Sequence, residues 1–281
     1  MTDLTWTITQ EKRLKELRIN LEDIPTSFEY ASARNNLFQQ LEKKQVAKQK
    51  EQLTTFLTEG KRVALEDLTE KLTDTLCRHG FTRVTTPTVI SKSSLAKMTV
   101  DENHPLSQQV YWINENQCLR PMLAPNLYSL MADFSRLRHR PIRYFEIGSC
   151  FRKESDGAKH NSEFTMLNLV EMGTPENERK ERLKELASLV ARTVGLTDFR
   201  FVSEESKVYG TTIDVVTGPE EIEVASGAMG PHPLDIAWGI TDTWIGIGFG
   251  LERLLMTAAG ETSIGRWGKS LSYINGIRLN L

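Results

Sequence analysis

The sequence predicts an α+β protein in which helices flank a mixed, mostly antiparallel β-sheet. Several strand-like runs follow one another without a helix between them, which is typical of antiparallel sheets. Other stretches carry apolar residues at helical spacing instead. The clearest helical stripe is formed by Leu65, Leu68, Leu72 and Leu76. Gly80 follows it, at the place where a helix is expected to end.

The strands are predicted from runs of β-branched, aromatic or alternating residues. A short strand over 81–84 comes first, and Pro87 limits it to a sheet edge because proline cannot donate to a central ladder. The other predicted strands are 109–113, 142–151, 164–172, 212–216, 221–225 and 244–248. A helix is predicted around 181–194, ending at Gly195, and a last helix begins at Leu251.

The first 59 residues differ from the remainder of the chain. They are polar, contain no glycine, and carry Leu14, Leu17 and Leu21 at helical spacing. We therefore predict a helical N-terminal arm over 1–59 and a main domain over 60–281. The arm either packs against the main domain or a partner, or it contacts nucleic-acid phosphates through its lysines. Those lysines are Lys43, Lys44, Lys48 and Lys50.

Composition excludes several classes of protein. The 281 residues carry 35 Lys+Arg and 37 Asp+Glu, a formal charge of −2. This excludes a globally basic nucleic-acid binder but not a local basic surface, for which Arg136, Arg138, Arg140 and Arg143 are further candidates.

No apolar run approaches the roughly 20 residues that span a bilayer, and no signal peptide is evident. We expect a cytoplasmic protein with three core thiols, Cys77, Cys118 and Cys150, and neither a disulfide framework nor a CxxC site.

A strand–loop–strand motif provides the first candidate site. Arg152 and Glu154 follow the strand 142–151 and, being two residues apart, point to the same side. A guanidinium suits a phosphate and a carboxylate accepts from an amino group of a base. Phe164 on the next strand is placed to stack on a purine, and His160 to donate to a terminal phosphate. A surface hairpin with a salt bridge is the alternative interpretation.

A glycine-rich strand provides the second candidate site. Gly246, Gly248 and Gly250 alternate and lead into Glu252 and Arg253. A dinucleotide-binding loop would need a βαβ context that is missing here. Alternate glycines allow close approach of a ligand or of another backbone, and both interpretations stay open. An arginine at the following helix start can contact a phosphate or lie over a base.

A third, weaker motif is Thr85-Thr86-Pro87, which with the preceding Leu-rich helix predicts a dimer surface. The order and spacing of the three motifs resemble the signature motifs of class II aminoacyl-tRNA synthetases. Longer stretches resemble the pyrrolysyl-tRNA synthetase family more narrowly. They are LRPMLAPNLYSLM (119–131), FEIGSCFRKESDGAKHNSEFTMLNLVEMG (145–173), ASGAMGPHPLD (225–235), WIGIGFGLERLLM (244–256) and LSYINGI (271–277).

The resemblance implies a site for ATP and Mg²⁺ in a class II synthetase fold. Arg152 and Arg253 would stabilise the charge of adenylate formation as the catalytic residues. The implied ATP-binding residues are Arg152, Glu154, His160, Asn161, Phe164, Glu223, Val224, Ser226 and Arg253. Of these, Glu223 and Ser226 would hold the Mg²⁺ that accompanies ATP, since Mg²⁺ prefers oxygen ligands beside phosphates.

The resemblance also implies an amino-acid pocket. Its members are Ala124, Leu127, Tyr128, Met131, Asn168, Val170, Tyr209, Ala228, Trp244 and Gly246. In the family the amide of Asn168 binds the carbonyl of an acylated lysine side chain, and Tyr209 closes over the substrate from a loop. Taken one by one, the apolar members suit an ordinary core better than a binding pocket. A deep apolar slot with one amide does not suit free lysine, whose ammonium would be stranded there.

The implied function is ATP-dependent activation of pyrrolysine, an Nε-acylated lysine, and its transfer to an amber-decoding tRNA. The expected partners are that tRNA, a second copy of the chain in a homodimer, and a separate tRNA-binding protein. The last is expected because the arm leaves no room for the small tRNA-binding domain of longer relatives. Two alternatives stay open: a class II enzyme for a bulky aromatic amino acid, and a tRNA-binding paralogue without catalysis.

Overall fold

The computed structural model describes residues 4–153 and 161–281. Its α-helices are α1 (Ile8–Glu16), α2 (Ala31–Thr58), α3 (Ala64–Arg78), α4 (Lys92–Ala96), α5 (Pro105–Gln109), α6 (Ala124–Phe134), α7 (Arg179–Val194), α8 (Asp235–Trp238) and α9 (Leu251–Ala258). Single 3₁₀ turns lie at Leu21–Asp23 and Ile264–Arg266.

The strands complete the described secondary structure. They are β1 (Leu4–Thr5), β2 (Ser27–Phe28), β3 (Thr82–Arg83), β4 (Val89–Ser91), β5 (Gln117–Leu119), β6 (Ile142–Phe151), β7 (Glu163–Met172), β8 (Phe199–Ser206), β9 (Gly210–Thr217), β10 (Ile222–Gly230), β11 (Trp244–Gly250), β12 (Tyr273–Ile274) and β13 (Ile277–Arg278). The chain divides into two compact units, one of residues up to Val63 together with Ser270–Leu281, the other of Ala64–Lys269.

The first unit is built on the helices α1 and α2, which run side by side in the same direction, since Gln10 contacts Asn35 and Arg13 contacts Glu42 further along both helices. Thr7 and Gln10 form a capping box at the start of α1, which satisfies two N–H groups that a helix start leaves open. Leu14 and Leu17 are fully buried. The side-chain amides of Gln45 and Gln49 on α2 both donate to the carbonyl of Leu17, each at 2.9 Å. The α1–α2 contact thus has an apolar centre and a polar edge formed by these two amides.

The C-terminal segment belongs to this unit, although the sequence pattern placed the boundary of the arm at residue 60. The hairpin β12–β13 returns to α1, where Arg278 on β13 pairs with Glu16. Arg18 donates to the carbonyl of Asn275 in the hairpin turn. A boundary drawn along the sequence misses this grouping because the residues that pair are more than 250 positions apart.

The second unit contains a seven-stranded sheet in the order β3-β6-β7-β11-β10-β9-β8. All neighbouring strands are antiparallel except β3 and β6, which are parallel. This confirms the predicted mixed, mostly antiparallel sheet and places β3 at its edge. The register between β10 and β9 shifts between Glu223 and Ala225, and such a bulge re-aims the side chains beside it.

The two faces of the central strands differ because side chains alternate along a strand. On one face Leu167, Leu169, Ile245 and Ile247 pack in a core with α3, α7 and α9. The opposite face carries the alternate residues of the same strands, packed against α6 in a second buried cluster. The second face holds the candidate site, so the helices behind the sheet fix its position.

Several element predictions need correction. The predicted strand 109–113 is wrong: Gln109 ends α5, and only Trp112 makes an isolated bridge, to Cys118. The strand β8 was not predicted. Cys118 and Cys150 are buried as expected, but Cys77 is exposed. Within the described residues, no helix combines the length and apolar character that crossing a membrane requires.

Candidate active site

One cavity of about 690 Å³ collects the predicted site residues that the structure describes. It lies on the open face of β7, β10 and β11 and beneath α6. Seven predicted ATP-site residues line it: Arg152, Asn161, Phe164, Glu223, Val224, Ser226 and Arg253. All ten predicted amino-acid-site residues line it too: Ala124, Leu127, Tyr128, Met131, Asn168, Val170, Tyr209, Ala228, Trp244 and Gly246. Glu154 and His160 lie outside the described residues.

Arg152 lies immediately after β6. Its Nε donates to the carbonyl of Pro121 at 3.0 Å, which fixes the plane of the guanidinium. The guanidinium carbon lies 5.2 Å from the centre of the Phe164 ring. Stacking on an aromatic face stabilises a cation without using up its N–H donors. The arrangement leaves an oriented positive charge over an aromatic surface, which suits a nucleotide phosphate beside its base.

Arg253 lies in the first turn of α9, directly after the glycine-rich strand β11. Its Nη1 donates to the carbonyl of Glu223 at 2.8 Å and lies 3.9 Å from that residue's Oε1. Burial raises the pKa of the Glu223 carboxyl, and the charge of Arg253 opposes this rise. The two arginines lie at the same end of the paired strands, because β6 and β11 both end beside the start of β7. The charge of Arg152 also opposes the rise in the pKa of Glu223.

Ser226 lies beside Glu223 on β10. Its hydroxyl donates to Asp214 Oδ1 at 2.6 Å, so the oxygen lone pairs of Ser226 stay available as acceptors. Within residues 4–153 and 161–281, no cluster of three His, Cys, Asp or Glu side chains comes together as a complete metal cage. A Mg²⁺ ion that arrives with nucleotide phosphates needs only one or two protein oxygens. The Glu223 carboxylate and Ser226 hydroxyl fit that requirement.

The opposite end of the cavity is apolar. Helix α6 supplies the wall: Ala124, Leu127, Tyr128 and Met131 are buried on its inner face. The Tyr128 ring meets the Trp244 ring edge-on at 5.4 Å. Burial raises the pKa of the Tyr128 phenol, which keeps the group neutral. This end thus suits a long uncharged side chain.

Asn168 is the polar side chain that β7 contributes to this apolar end. Its Oδ1 is buried and has no hydrogen-bond partner within the described part of the chain. Buried amide groups normally find partners. An amide with an unused oxygen in an apolar slot is thus available for a ligand that carries both a carbonyl and an N–H.

Tyr209 reaches the cavity from the tip of the β8–β9 hairpin, residues 206–210, called the hairpin tip below. The Ser206 hydroxyl accepts from the N–H groups of Val208 and Tyr209, at 3.2 and 3.3 Å. Gly210 has a φ of +62°, in the left-handed region that glycine favours. The tip is therefore a tight, locally bonded turn that carries one aromatic side chain over the slot.

Sequence reasoning missed several polar groups that organise the site. Asp235 accepts from the Trp244 indole, and His232 contacts Tyr209.

Glu252 accepts from the N–H of Thr165 at 2.7 and 2.9 Å, and burial raises the pKa of the Glu252 carboxyl. Lys269 pairs with Glu163 at 2.7 Å. None of these contacts leaves a periodic signal, because each joins residues from different elements.

The predicted basic run 136–143 is only partly free for a polyanion. Arg140 is paired with Asp242 at 2.7 Å and also donates to backbone carbonyls. Arg143 is paired with Glu171 at 2.6 Å. By contrast, Lys43, Lys44, Lys48 and Lys50 on α2 are exposed. Arginines that are already in ion pairs contribute less to phosphate binding. The lysines of the arm are therefore the better candidates for contact with a nucleic-acid backbone.

The fold and site define the chain's class. The mostly antiparallel sheet presents Arg152 between the paired strands β6 and β7 and Arg253 at the start of α9, as the resemblance to class II synthetases implied. The family model for the "tRNA synthetases class II core domain (F)" matches residues 49–267. The chain belongs to the pyrrolysyl-tRNA synthetase family within that class, an assignment supported by the following solved structures.

The crystal structure of pyrrolysyl-tRNA synthetase from Desulfitobacterium hafniense is 50% identical in sequence, with a TM-score of 0.91 and 99% of each chain covered. A second structure of a pyrrolysyl-tRNA synthetase from that organism is 49% identical, with a TM-score of 0.88, covering 99% of this chain and 96% of that one. These similarities support the assignment of α+β fold and ligase class.

A more distant similarity connects the chain to a phenylalanine enzyme. The phenylalanine–tRNA ligase alpha subunit of Ureaplasma urealyticum serovar 10 (strain ATCC 33699 / Western) is 25% identical over 139 residues, which is 48% of this chain. The chain spans about 40% of the length of that curated relative. The match is consistent with a shared synthetase core.

Proposed function

We propose that this chain activates pyrrolysine, or a similar Nε-acylated lysine, with ATP and transfers it to an amber-decoding tRNA. The observation that carries the proposal is the composition of one cavity. An end with Arg152 and Arg253, suited to phosphate, is continuous with an apolar slot that contains the Asn168 amide and the buried Tyr128 hydroxyl. A substrate with a carboxylate at one end and an acylated side chain at the other matches both.

The first half-reaction needs no general base, because the amino-acid carboxylate is already a nucleophile. One carboxylate oxygen forms a bond to the α-phosphorus of ATP, and the bond from that phosphorus to pyrophosphate breaks. Arg152 and Arg253 stabilise the charge that develops on the phosphate oxygens, so catalysis consists of positioning and electrostatic stabilisation. Glu223 and Ser226 would hold the Mg²⁺ that accompanies ATP, and the ion's charge would neutralise part of the developing negative charge. In the second half-reaction a tRNA hydroxyl attacks the acyl carbon and AMP leaves.

Selectivity follows from the slot. The Asn168 side chain has an N–H donor for the acyl carbonyl and an unused Oδ1 for the amide N–H. Free lysine would have to bury its ammonium beside apolar residues such as Leu127 and Met131, which costs several kcal/mol. Phenylalanine would leave the Asn168 amide without a partner. Both losses favour the acyl-lysine.

A second candidate substrate is a bulky aromatic amino acid. The similarity to a phenylalanine–tRNA ligase alpha subunit favours it. Amino-acid-dependent ATP–pyrophosphate exchange separates the candidates when pyrrolysine or an Nε-acyl-lysine, phenylalanine and lysine are supplied in turn. Exchange with the acyl-lysine alone is expected. Exchange with phenylalanine alone would favour the second candidate, and none with any of the three would leave a tRNA-binding protein without catalysis.

The proposal includes the chain's partners and surroundings. The tRNA contacts the exposed lysines of α2, a second copy of the chain forms a homodimer, and a separate protein assists tRNA binding. These substrates coexist in the cytoplasm, where the reaction would occur. Affinity for tRNA should fall steeply as salt rises, because each phosphate contact releases counterions. A Lys44→Gln/Lys48→Gln variant should weaken binding and flatten this salt dependence, whereas an unchanged slope would remove α2 from the interface.

A further inference from the structure

We propose that His232 is a positioning residue that holds the hairpin tip over the amino-acid slot. That the slot binds the amino acid rests on the proposed function, whereas the contact of His232 with the hairpin tip rests on the geometry. His232 lies in the turn between β10 and α8, 23 residues beyond Tyr209. Its Nε2 lies 2.8 Å from the Tyr209 carbonyl oxygen, and the two rings meet edge-on at 5.8 Å.

The partners of the imidazole determine its protonation. The Tyr209 carbonyl can only accept, so Nε2 must carry a proton. Nδ1 lies 3.2 Å from the backbone N of Leu234, which can only donate, so Nδ1 must be unprotonated. The ring is thus a neutral imidazole with its single N–H directed at the backbone of the hairpin tip. Both ring nitrogens are used, which leaves the ring one favourable orientation.

The turn that carries His232 is itself attached to the floor of the slot. The backbone N–H of His232 donates to Asp235 Oδ2 at 2.7 Å. Both Asp235 carboxylate oxygens lie 3.0 Å from the Trp244 indole nitrogen. Gly230 leaves the space that this indole occupies, since a Cβ there would overlap the same nitrogen. The Trp244 floor, Asp235, His232 and the Tyr209 tip therefore form one connected series.

This series gives the turn a role in substrate binding. Tyr209 and Trp244 both line the slot, and the His232 ring lies 6.5 Å from the Trp244 ring as well. The tip's other polar contacts at residues 206–209 include local bonds to the Ser206 hydroxyl. The bond from His232 instead ties the tip to the slot. Removing it should let Tyr209 leave its position while the distant ATP end is unchanged.

The test compares three variants of the full chain. His232→Leu removes the donor. His232→Gln keeps an N–H donor at the same number of bonds from the backbone. Ile236→Thr is the matched control in the same segment, because its side chain is 86% exposed. Pyrophosphate exchange gives KM for the acyl-lysine and for ATP, and hydrogen exchange of the free enzyme reports on the hairpin tip directly.

His232→Leu should raise KM for the acyl-lysine about fivefold to tenfold, the effect of one hydrogen bond of about 1 to 1.4 kcal/mol, with KM for ATP unchanged. It should also accelerate amide exchange in the tip. His232→Gln should recover most of both effects, and Ile236→Thr should show neither. Unaltered tip exchange in His232→Leu, or no recovery with Gln, would overturn the proposal. If the wild-type chain activates no amino acid, the proposed function fails, yet the exchange measurement still decides the role of His232.

Discussion

Asn168 on β7 lies directly opposite Gly248 on β11, and the side-chain amide of Asn168 occupies the space above the glycine. A Cβ at position 248 would lie 3.1 Å from Asn168 Nδ2 and 3.2 Å from Oδ1. It would also lie 3.3 Å from the Met166 methyl group. The alternating glycines of β11 thus have a specific use at this position, since one of them leaves room for the amide that distinguishes the slot.

Gly248→Ala should therefore displace the Asn168 amide while the strand pairing survives. The expected result is a rise of about tenfold in KM for the acyl-lysine, equal to about 1.4 kcal/mol, within the range for overpacking a filled site. KM for ATP should change little. Gly246→Ala is a neighbouring comparison, because a Cβ there meets the Trp244 ring at 3.2 Å rather than the amide. Equal effects of Gly248→Ala on both substrates would contradict the assignment of the amide.

Asn168→Ala tests the amide directly. Loss of its hydrogen bonds should reduce kcat/KM for the acyl-lysine by roughly tenfold to a hundredfold, because the acyl amide would be buried without partners. ATP binding, measured by equilibrium titration, should be unaffected. Activity with phenylalanine should rise relative to that with the acyl-lysine. Parallel losses in acyl-lysine activation and ATP binding would refute the role given to Asn168.

The sequence allowed prediction of much of this site because strand periodicity determines which residues share a face. Asn168 and Val170 are two apart on a strand whose limits were predicted within one residue, so they had to point the same way. Their roles, however, came from a family resemblance and not from periodicity. His232 gave no periodic signal, because its contact with Tyr209 depends on how a turn and a hairpin meet in three dimensions.

In the fold, too, elements with a clear periodic pattern were predicted and elements without one were not. The strands β6 and β7 follow clear periodic patterns and were predicted within one residue at each end, and the apolar stripe of α3 was predicted as well. β8 was not, since it ends the sheet order and several of its residues are exposed and charged, which weakens alternation. The aromatic residues near 110 suggested a strand, but Pro105 opens a short helix instead. Local turn chemistry outweighed β-propensity there.

The proposed Mg²⁺ ligands give a third prediction. Ser226→Ala removes one oxygen and also the hydrogen bond to Asp214. The Mg²⁺ concentration needed for half-maximal pyrophosphate exchange should rise about threefold to tenfold, as expected when a weak neutral ligand is lost. Ser226→Thr keeps a hydroxyl and should stay close to the wild type. KM for the acyl-lysine should not follow the change, and a shift there without one in Mg²⁺ dependence would remove Ser226 from the metal site.

The last prediction concerns Glu171, which is buried behind the site on β7. Burial by itself would raise the pKa of its carboxyl, but hydrogen bonds from Arg182, Arg143 and Thr174 lower the pKa below its ordinary value. The bonds from Arg143 and Thr174 measure 2.6 and 2.7 Å. A carboxyl whose pKa is lower in the folded state contributes stability at neutral pH, and that contribution is lost as pH falls through the folded-state pKa.

Glu171→Gln should therefore lower the free energy of unfolding at pH 7 by about 2 to 3 kcal/mol, somewhat less than for a fully buried pair because both arginines are partly exposed. The difference in the free energy of unfolding between wild type and variant should shrink as pH falls below the ordinary pKa range of a carboxyl. Urea unfolding at a series of pH values measures both effects. Glu185→Gln is the matched control, because this carboxylate also pairs with Arg182 but its side chain is 66% exposed. Its removal should cost less than about 0.5 kcal/mol. A constant difference between wild type and Glu171→Gln at all pH values would show that Glu171 is not stabilised as a carboxylate.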